Sequence, residues 1–342
     1  MAVLGLVGLV LLGGLWLAQR RSDIPYVELE SRYAAADSDF FETADGVRVH
    51  YREQGRSDAP ALLLLHGFGV SSDTWEPWAA ELGANYRLVS VDLPGHGLTY
   101  SPRDWPQTPE RLIRLLDALV DGRGMDRFTL VGQGLGADLA WRYARRHAGK
   151  VQGLVLVSPS GWSSGDPAAT RFLGAAAHPV GALLLRETDR RDLIRSGLRA
   201  AYADDARATN AAVTRYAELA RAPGHRDAVL DLANAWRARP PATAADLREL
   251  RAPVLILQGS ADEIASTADA RRFQSAIPRS RLVLYPGAGH LVNEERASRT
   301  AADVFAFVSA YAPPPVGAPP PTGVAAGRGL NSNDPLAGLL VQ

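Results

Sequence analysis

The sequence predicts an α/β fold: a mostly parallel central sheet with helices on both faces and a helical insertion at one edge. Three observations predict it. Short apolar runs ending in glycine alternate with longer runs of helical spacing from residue 46 to residue 311. Most of the short runs are continuous rather than alternating, as strands buried on both faces require. The rhythm breaks once, over 162–246, where stretches such as "RRDLIRSGLRAAYAD" and "HRDAVLDLANAWRAR" have helical character and no convincing strand intervenes.

Taken in order, "GVRVHYREQG" (46–55) alternates like a half-exposed strand, and "PALLLLHGFG" (60–69) reads as a buried one. "YRLVSVDLPGHG" (86–97) supplies the next strand and loop. In "TPERLIRLLDALVDGRG" (108–124), Leu112, Leu115, Leu116 and Leu119 share one helical face, and glycine stops the helix. "RFTLVGQG" is a strand, "LGADLAWRYARRHAG" a helix and "VQGLVLVSPSG" another strand. "APVLILQGSAD" (252–262) and "SRLVLYPGAGH" (280–290) add two more strands, and "RTAADVFAFVSAY" (299–311) closes with a helix. Ligands of such a sheet collect at the C-terminal ends of its strands.

The ends are different material. Residues 2–18, "AVLGLVGLVLLGGLWLA", carry no charge and are followed by Gln19, Arg20 and Arg21. At about 1.5 Å per residue this run is near the short limit for a bilayer core of about 30 Å. It is expected to be an N-terminal membrane anchor spanning 1–21, of a bacterial inner membrane. Its alternative, a signal segment whose cleavage would leave a secreted protein, lacks a basic residue before the run. The stretch 312–342, opening "APPPVGAPPPTG", is too rich in proline and glycine to build a core and is expected to be a disordered tail. The 37 basic and 37 acidic residues balance, which argues against a nucleic-acid surface. With no cysteine, thiol catalysis and thiolate-ligated metals are excluded.

Gly132, Gly134 and Ala137 fit a G-x-G-x-x-A dinucleotide motif. That reading needs an acidic residue about twenty positions on, at the end of the next strand. Ser158 stands there instead. The same stretch also reads as the nucleophile turn G-x-S-x-G with glycine in the serine position. The demands of that second reading are met elsewhere. His66-Gly67-Phe68-Gly69 follows one buried strand, "DLPGHGLT" the next, Asp262 follows "VLILQG", and His290 follows "LVLYPGAG". The order of nucleophile position, Asp and His matches the hydrolase triad.

With these motifs the chain resembles the α/β-hydrolase fold superfamily, in its membrane-anchored bacterial esterase/lipase-like branch, over roughly 38–311. The resemblance implies a core of 38–161 and 247–311 with a helical cap over 162–246. It implies Asp262 as orienter and His290 as general base, with an oxyanion hole at the N–H groups of Phe68 and Leu135. It implies no cofactor and no metal. His66 and His96 are expected to structure loops, and Trp75, Trp78 and Trp105 to pack.

The departures from the family pattern carry the functional expectation. Gly134 has no Oγ, so no alkoxide can attack an acyl carbon. Asp138 should point away from the turn, and Ser71, Ser72, Ser158 and Ser160 lack its N–H geometry. The proline common after the acid is missing, and Ala297 stands where proline is common after the base. The expected protein is therefore a homologue deficient in serine-ester hydrolysis. It would keep a pocket for a small apolar ester or acid, or a protein partner through the cap. The alternative is an active carboxylic-ester hydrolase, using water activated by His290 or carrying Gly134 as a replacement of an ancestral serine.

Overall fold

A computed structural model describes residues 21–162 and 191–324. The apolar run 2–18, the stretch 163–190 of the expected cap and residues 325–342 lie outside the described residues. Among the described residues, no helix is long and apolar enough to cross a membrane.

The chain opens with helix α1 (Tyr26–Tyr33), followed by strands β1 (Ser38–Glu42), β2 (Arg48–Gly55) and β3 (Ala61–Leu65). A 3₁₀ turn at Ser72–Trp75 leads into α2 (Glu76–Leu82), then β4 (Arg87–Val91). Helix α3 (Pro109–Gly122) starts at Thr108, whose side chain accepts the Arg111 N–H, with proline in its first turn. Its expected apolar face, Leu112, Leu115, Leu116 and Leu119, is buried. Next come β5 (Phe128–Gln133), α4 (Leu135–Arg146) and β6 (Val151–Val157). Helices α5 (Arg191–Ala201), α6 (Asn210–Leu219), α7 (His225–Ala238) and α8 (Ala244–Arg248) precede β7 (Val254–Gly259), α9 (Thr267–Ala276) and β8 (Ser280–Tyr285). Short α10 (Val292–Glu295) and α11 (Ala297–Ser309) follow.

The eight strands form one sheet in the order β1-β2-β4-β3-β5-β6-β7-β8. Strand β2 is antiparallel to both β1 and β4, and every other pair is parallel. Strand β4 lies on one side of β3 and β5 on the other, so the loops leaving β3 and β5 diverge and open a crevice at the strands' C-terminal ends. The continuous run of β3 is explained by this central place. Leu62 and Leu64 pack in the apolar layer with Trp75, Trp78 and Phe307, while Leu63 and Leu65 pack in the opposite layer with Leu112, Leu116 and Phe273. Trp75 and Trp78 are fully buried neighbours, and Trp78 donates its Nε1–H to Thr300. Trp105 donates to Asp45.

Two segments differ from the sequence reading. Residues 312–324, expected to begin a disordered tail, lie against α2 and the turn after it: Asn85 donates to the Pro319 carbonyl at 2.8 Å, and the Thr322 N–H donates to Glu81 at 2.9 Å. Proline-rich chain cannot form a core of its own, but its backbone groups can be held by side chains of segments already folded. The other segment, 22–33, has no assignment from sequence and packs on α6 and α7. Ile24 donates to the Arg221 carbonyl at 2.9 Å, Arg32 and Tyr33 both reach Glu218, and Arg226 pairs with Asp23.

Candidate active site

The register of β3 against β5 pairs Leu65 with Gly132, so the loop after β3 and the turn after β5 emerge side by side. Gly134 is that turn. Its φ of 54° and ψ of −112° lie in a region that glycine enters without a Cβ penalty. Its N–H donates to Val157 of β6 at 3.0 Å, and its carbonyl receives the N–H groups of Ala137 and Asp138 as α4 begins. Leu135 is the first residue of α4, so its N–H has no acceptor within the helix. A Cβ added at Gly134 would lie 2.9 Å from His290 Nε2 and 3.8 Å from the Gly67 Cα. The strand ends thus bring together the turn, the loop before Phe68, and the imidazole of His290.

Asp262 sits on the turn after β7, where Oδ1 accepts the N–H groups of Ile264 and Ala265, both at 2.8 Å. Its Oδ2 accepts from Gln258 Nε2 at 2.9 Å and from His290 Nδ1 at 2.9 Å. Burial on its own would raise the Asp262 pKa. The neighbouring His290 and the two backbone N–H groups outweigh it, holding the carboxyl below its usual range. An ionised Asp262 places the His290 proton on Nδ1 and turns the Nε2 lone pair toward Gly134.

The other histidines of the region hold loops. His66 Nε2 accepts the Leu93 N–H at 3.0 Å, so its Nδ1–H donates to the Gly67 carbonyl at 2.7 Å. His96 Nε2 accepts the Gly69 N–H at 3.1 Å and its Nδ1–H donates to Pro94. Burial lowers both pKa values, that of His96 to about 3, so both rings stay neutral near pH 7. The Phe68 side chain, by contrast, is partly exposed beside His96.

The serines and Asp138 fall as follows. Asp138 is buried and pairs with Arg142 at 3.2 Å and Arg239 at 2.6 Å, tying α4 to the end of α7. Ser160 donates its hydroxyl to the Gly134 carbonyl at 3.0 Å. Ser158, at φ 46°, is buried at the end of β6, and among the described residues its Oγ has no hydrogen-bond partner. The N–H of Ser72 goes to Asp92, and the Ser71 hydroxyl goes to Asp73.

The sequence matches the family described as "Alpha/beta hydrolase family" over residues 62–304, most of its length. The chain belongs to this family. Among curated relatives, it is 29% identical over 261 residues to the pimeloyl-[acyl-carrier protein] methyl ester esterase of Nitrosomonas europaea, covering 71% of this chain and 92% of that protein. It is 26% identical over 276 residues to haloalkane dehalogenase 2 of Mycobacterium bovis, covering 78% and 93%. Among solved structures, a bacterial membrane phospholipase A superposes with a TM-score of 0.69 at 23% identity, covering 90% of this chain and 97% of that one. At that identity the likeness is one of fold.

Several residues of this alpha/beta hydrolase escape sequence reasoning and still shape the site. Gln133 lies over Gly67, where an added Cβ would come within 1.9 Å of its Oε1. Gln258 donates to Asp262 Oδ2 and to the carbonyls of Gly259 and Ala265. Glu295 Oε1 accepts the N–H groups of Gly289 at 2.9 Å and Ala203 at 3.2 Å, while the His290 N–H donates to the Ala201 carbonyl at 2.8 Å. The loop bearing His290 is therefore fastened to the C-terminal end of α5. The only local signal for the two glutamines is a polar residue closing an apolar strand.

The Asp262–His290 pair yields a direct expectation. In a Gly134→Ser background, Asp262→Asn is expected to abolish the gained activity on an activated ester, a loss of about 10²-fold or more back to the native level, because an amide in that position no longer enforces the Nδ1–H tautomer. Steady-state rates of the two variants check it.

Proposed function

We propose that this alpha/beta hydrolase binds a small apolar ester or acid in the crevice at Gly134 without hydrolysing it there through a serine. The observation that carries the reading is Gly134, a glycine at the strand-to-helix turn facing the His290 imidazole. Residue 134 itself offers no side-chain hydroxyl for a base oriented by a buried carboxylate to deprotonate. The ligand class follows from the surrounding chemistry. Apolar side chains of α5, α6 and the site loops (Leu198, Val213, Val70 and Leu291) cluster together. One relative is a methyl ester esterase. In this reading, residues 2–18 anchor the protein in a bacterial inner membrane. The contacts of 22–33 with α6 and α7 would then keep the cap near the bilayer, where an apolar ligand or a protein partner can reach it.

A second reading is favoured by the intact Asp262–His290 contact. His290 would deprotonate a water placed where a serine Oγ would otherwise stand, and backbone N–H groups would stabilise the oxyanion. Binding and an oxyanion hole alone sustain about 10³- to 10⁴-fold acceleration over water in enzymes stripped of a triad member.

The full-length protein with 4-nitrophenyl butyrate separates the two. Saturable binding with no turnover beyond that retained by His290→Ala is the expected result. Turnover that disappears in His290→Ala would replace the first reading with the second.

A further inference from the structure

A Ser–His–Asp constellation lies outside the site described above. Asp92 follows β4 and is buried, with Oδ1 accepting the Ser72 N–H at 2.7 Å and Oδ2 accepting the Leu98 N–H at 2.9 Å. Oδ2 also accepts from His50 Nδ1 at 2.6 Å. Burial opposes ionisation of Asp92, but His50 and the backbone donors hold its carboxyl far below the usual range. His50, buried on β2, must therefore carry its proton on Nδ1 and present the Nε2 lone pair outward. Ser38 Oγ lies 2.8 Å from that nitrogen. The same Oγ accepts the Ala35 N–H at 3.0 Å, so its one proton is left for His50. Ser38 is on β1, the outermost strand of the sheet, and is partly exposed. Base and orienter are thus buried while the serine, on the edge strand, is partly exposed, an arrangement that suits an activated nucleophile.

We propose that Ser38, His50 and Asp92 form a second nucleophilic site, in which Ser38 takes the acyl group of a small activated carboxylic ester. Ser38 Oγ attacks the carbonyl carbon as its proton passes to His50 Nε2. The bond to the leaving alcohol breaks, and that oxygen takes the proton from His50, leaving an acyl-serine for water to release. Asp92 stays ionised throughout and balances the transient imidazolium. Around this unit, Arg52 stands opposite Ser38 in the β1–β2 register and pairs with Asp37 at 2.7 Å and with Glu76. Its charge is already matched, and an uncharged ester meets no unpaired cation from it.

Diisopropyl fluorophosphate tests the site, because it phosphorylates activated serines with loss of fluoride and the adduct is located by peptide mass spectrometry. The full-length protein should acquire an adduct at Ser38. Ser38→Ala should lose it, and His50→Gln should form it about 10²-fold more slowly, the lower end of what a general base contributes. Gly134→Ser supplies a positive control by gaining a second adduct at position 134. Absence of a Ser38 adduct under conditions that label position 134 overturns the proposal. So does a Ser38 adduct whose rate His50→Gln leaves unchanged, which is the behaviour of hydrogen bonds that only fasten β1 to β2. Should His50→Gln fail to fold, Ser38→Cys gives a second readout in a chain that has no cysteine. Beside His50 the thiol should react with iodoacetamide at pH 7 about ten-fold faster than a free cysteine of pKa about 8.5. An equal rate overturns the proposal as well.

Discussion

Gly134→Ser is expected to raise kcat/KM for 4-nitrophenyl acetate by about 10²- to 10³-fold over the native protein. The backbone needed for a nucleophile turn is already in place: φ 54° and ψ −112° at residue 134, with the N-terminus of α4 directly behind it. His290 Nδ1 donates to Asp262, a carboxylate whose oxygens accept four hydrogen bonds. One steric cost opposes the gain. A Cβ at 2.9 Å from His290 Nε2 is closer than side-chain carbons ordinarily come, so the imidazole must retreat by a few tenths of an ångström. The obstacle is the end of a side chain rather than backbone, and it can move. Its loop, however, is fastened to α5 through Ala201 and Glu295, and full restoration, worth about 10⁶-fold in an intact triad, is therefore not expected. If a folded Gly134→Ser protein is as inert as the native one, the reading of this crevice as an ester site missing one oxygen is wrong.

Gly136→Ala is expected to destabilise the protein by about 3 kcal/mol or more, the upper range for forcing an atom into a packed interior. No unusual φ is involved. A Cβ at Gly136 would lie 2.4 Å from the Leu65 carbonyl oxygen and 2.6 Å from that of His66, so the obstacle is the backbone of β3 and its loop. Gly132 is equally constrained, its added Cβ falling 2.2 Å from the Gly136 carbonyl oxygen. These two glycines let α4 start close against the central strands, which sets the turn at Gly134 beside Gly67. Gly149, whose added Cβ meets nothing within 4 Å, is the control, and Gly149→Ala should shift the denaturation midpoint little. Equal midpoints for Gly136→Ala and Gly149→Ala would mean that α4 is not held this tightly.

These glycines also explain why "GQGLGA" is ambiguous in the sequence. Close helix–strand approach demands glycine both in a dinucleotide turn and in a nucleophile turn. The tie is broken by distant residues: Ser158 ends the next strand, and Asp262 and His290 end two later ones. Strand β3 is legible because a five-residue apolar run fits nothing else, whereas "SDFFE" of β1 is short, half-buried and without clear alternation, and so gives no signal. The exchanged places of β3 and β4 are likewise invisible, since each strand's pattern reports burial and not its neighbour.

By itself, the sequence determined the fold class, singled out Asp262 and His290 as a candidate pair, and showed that residue 134 has no hydroxyl. All of these are carried by residue type and by position relative to strand ends. Tertiary structure decided what holds His290 and what else the chain can activate. Glu295 meets Gly289 and Ala203 because α5 folds down beside the loop of His290, and His50 meets both Ser38 and Asp92 because β2 separates β1 from β4. Such contacts depend on register and sheet order. Both arise from the packing of segments far apart in the chain, and no local pattern encodes them.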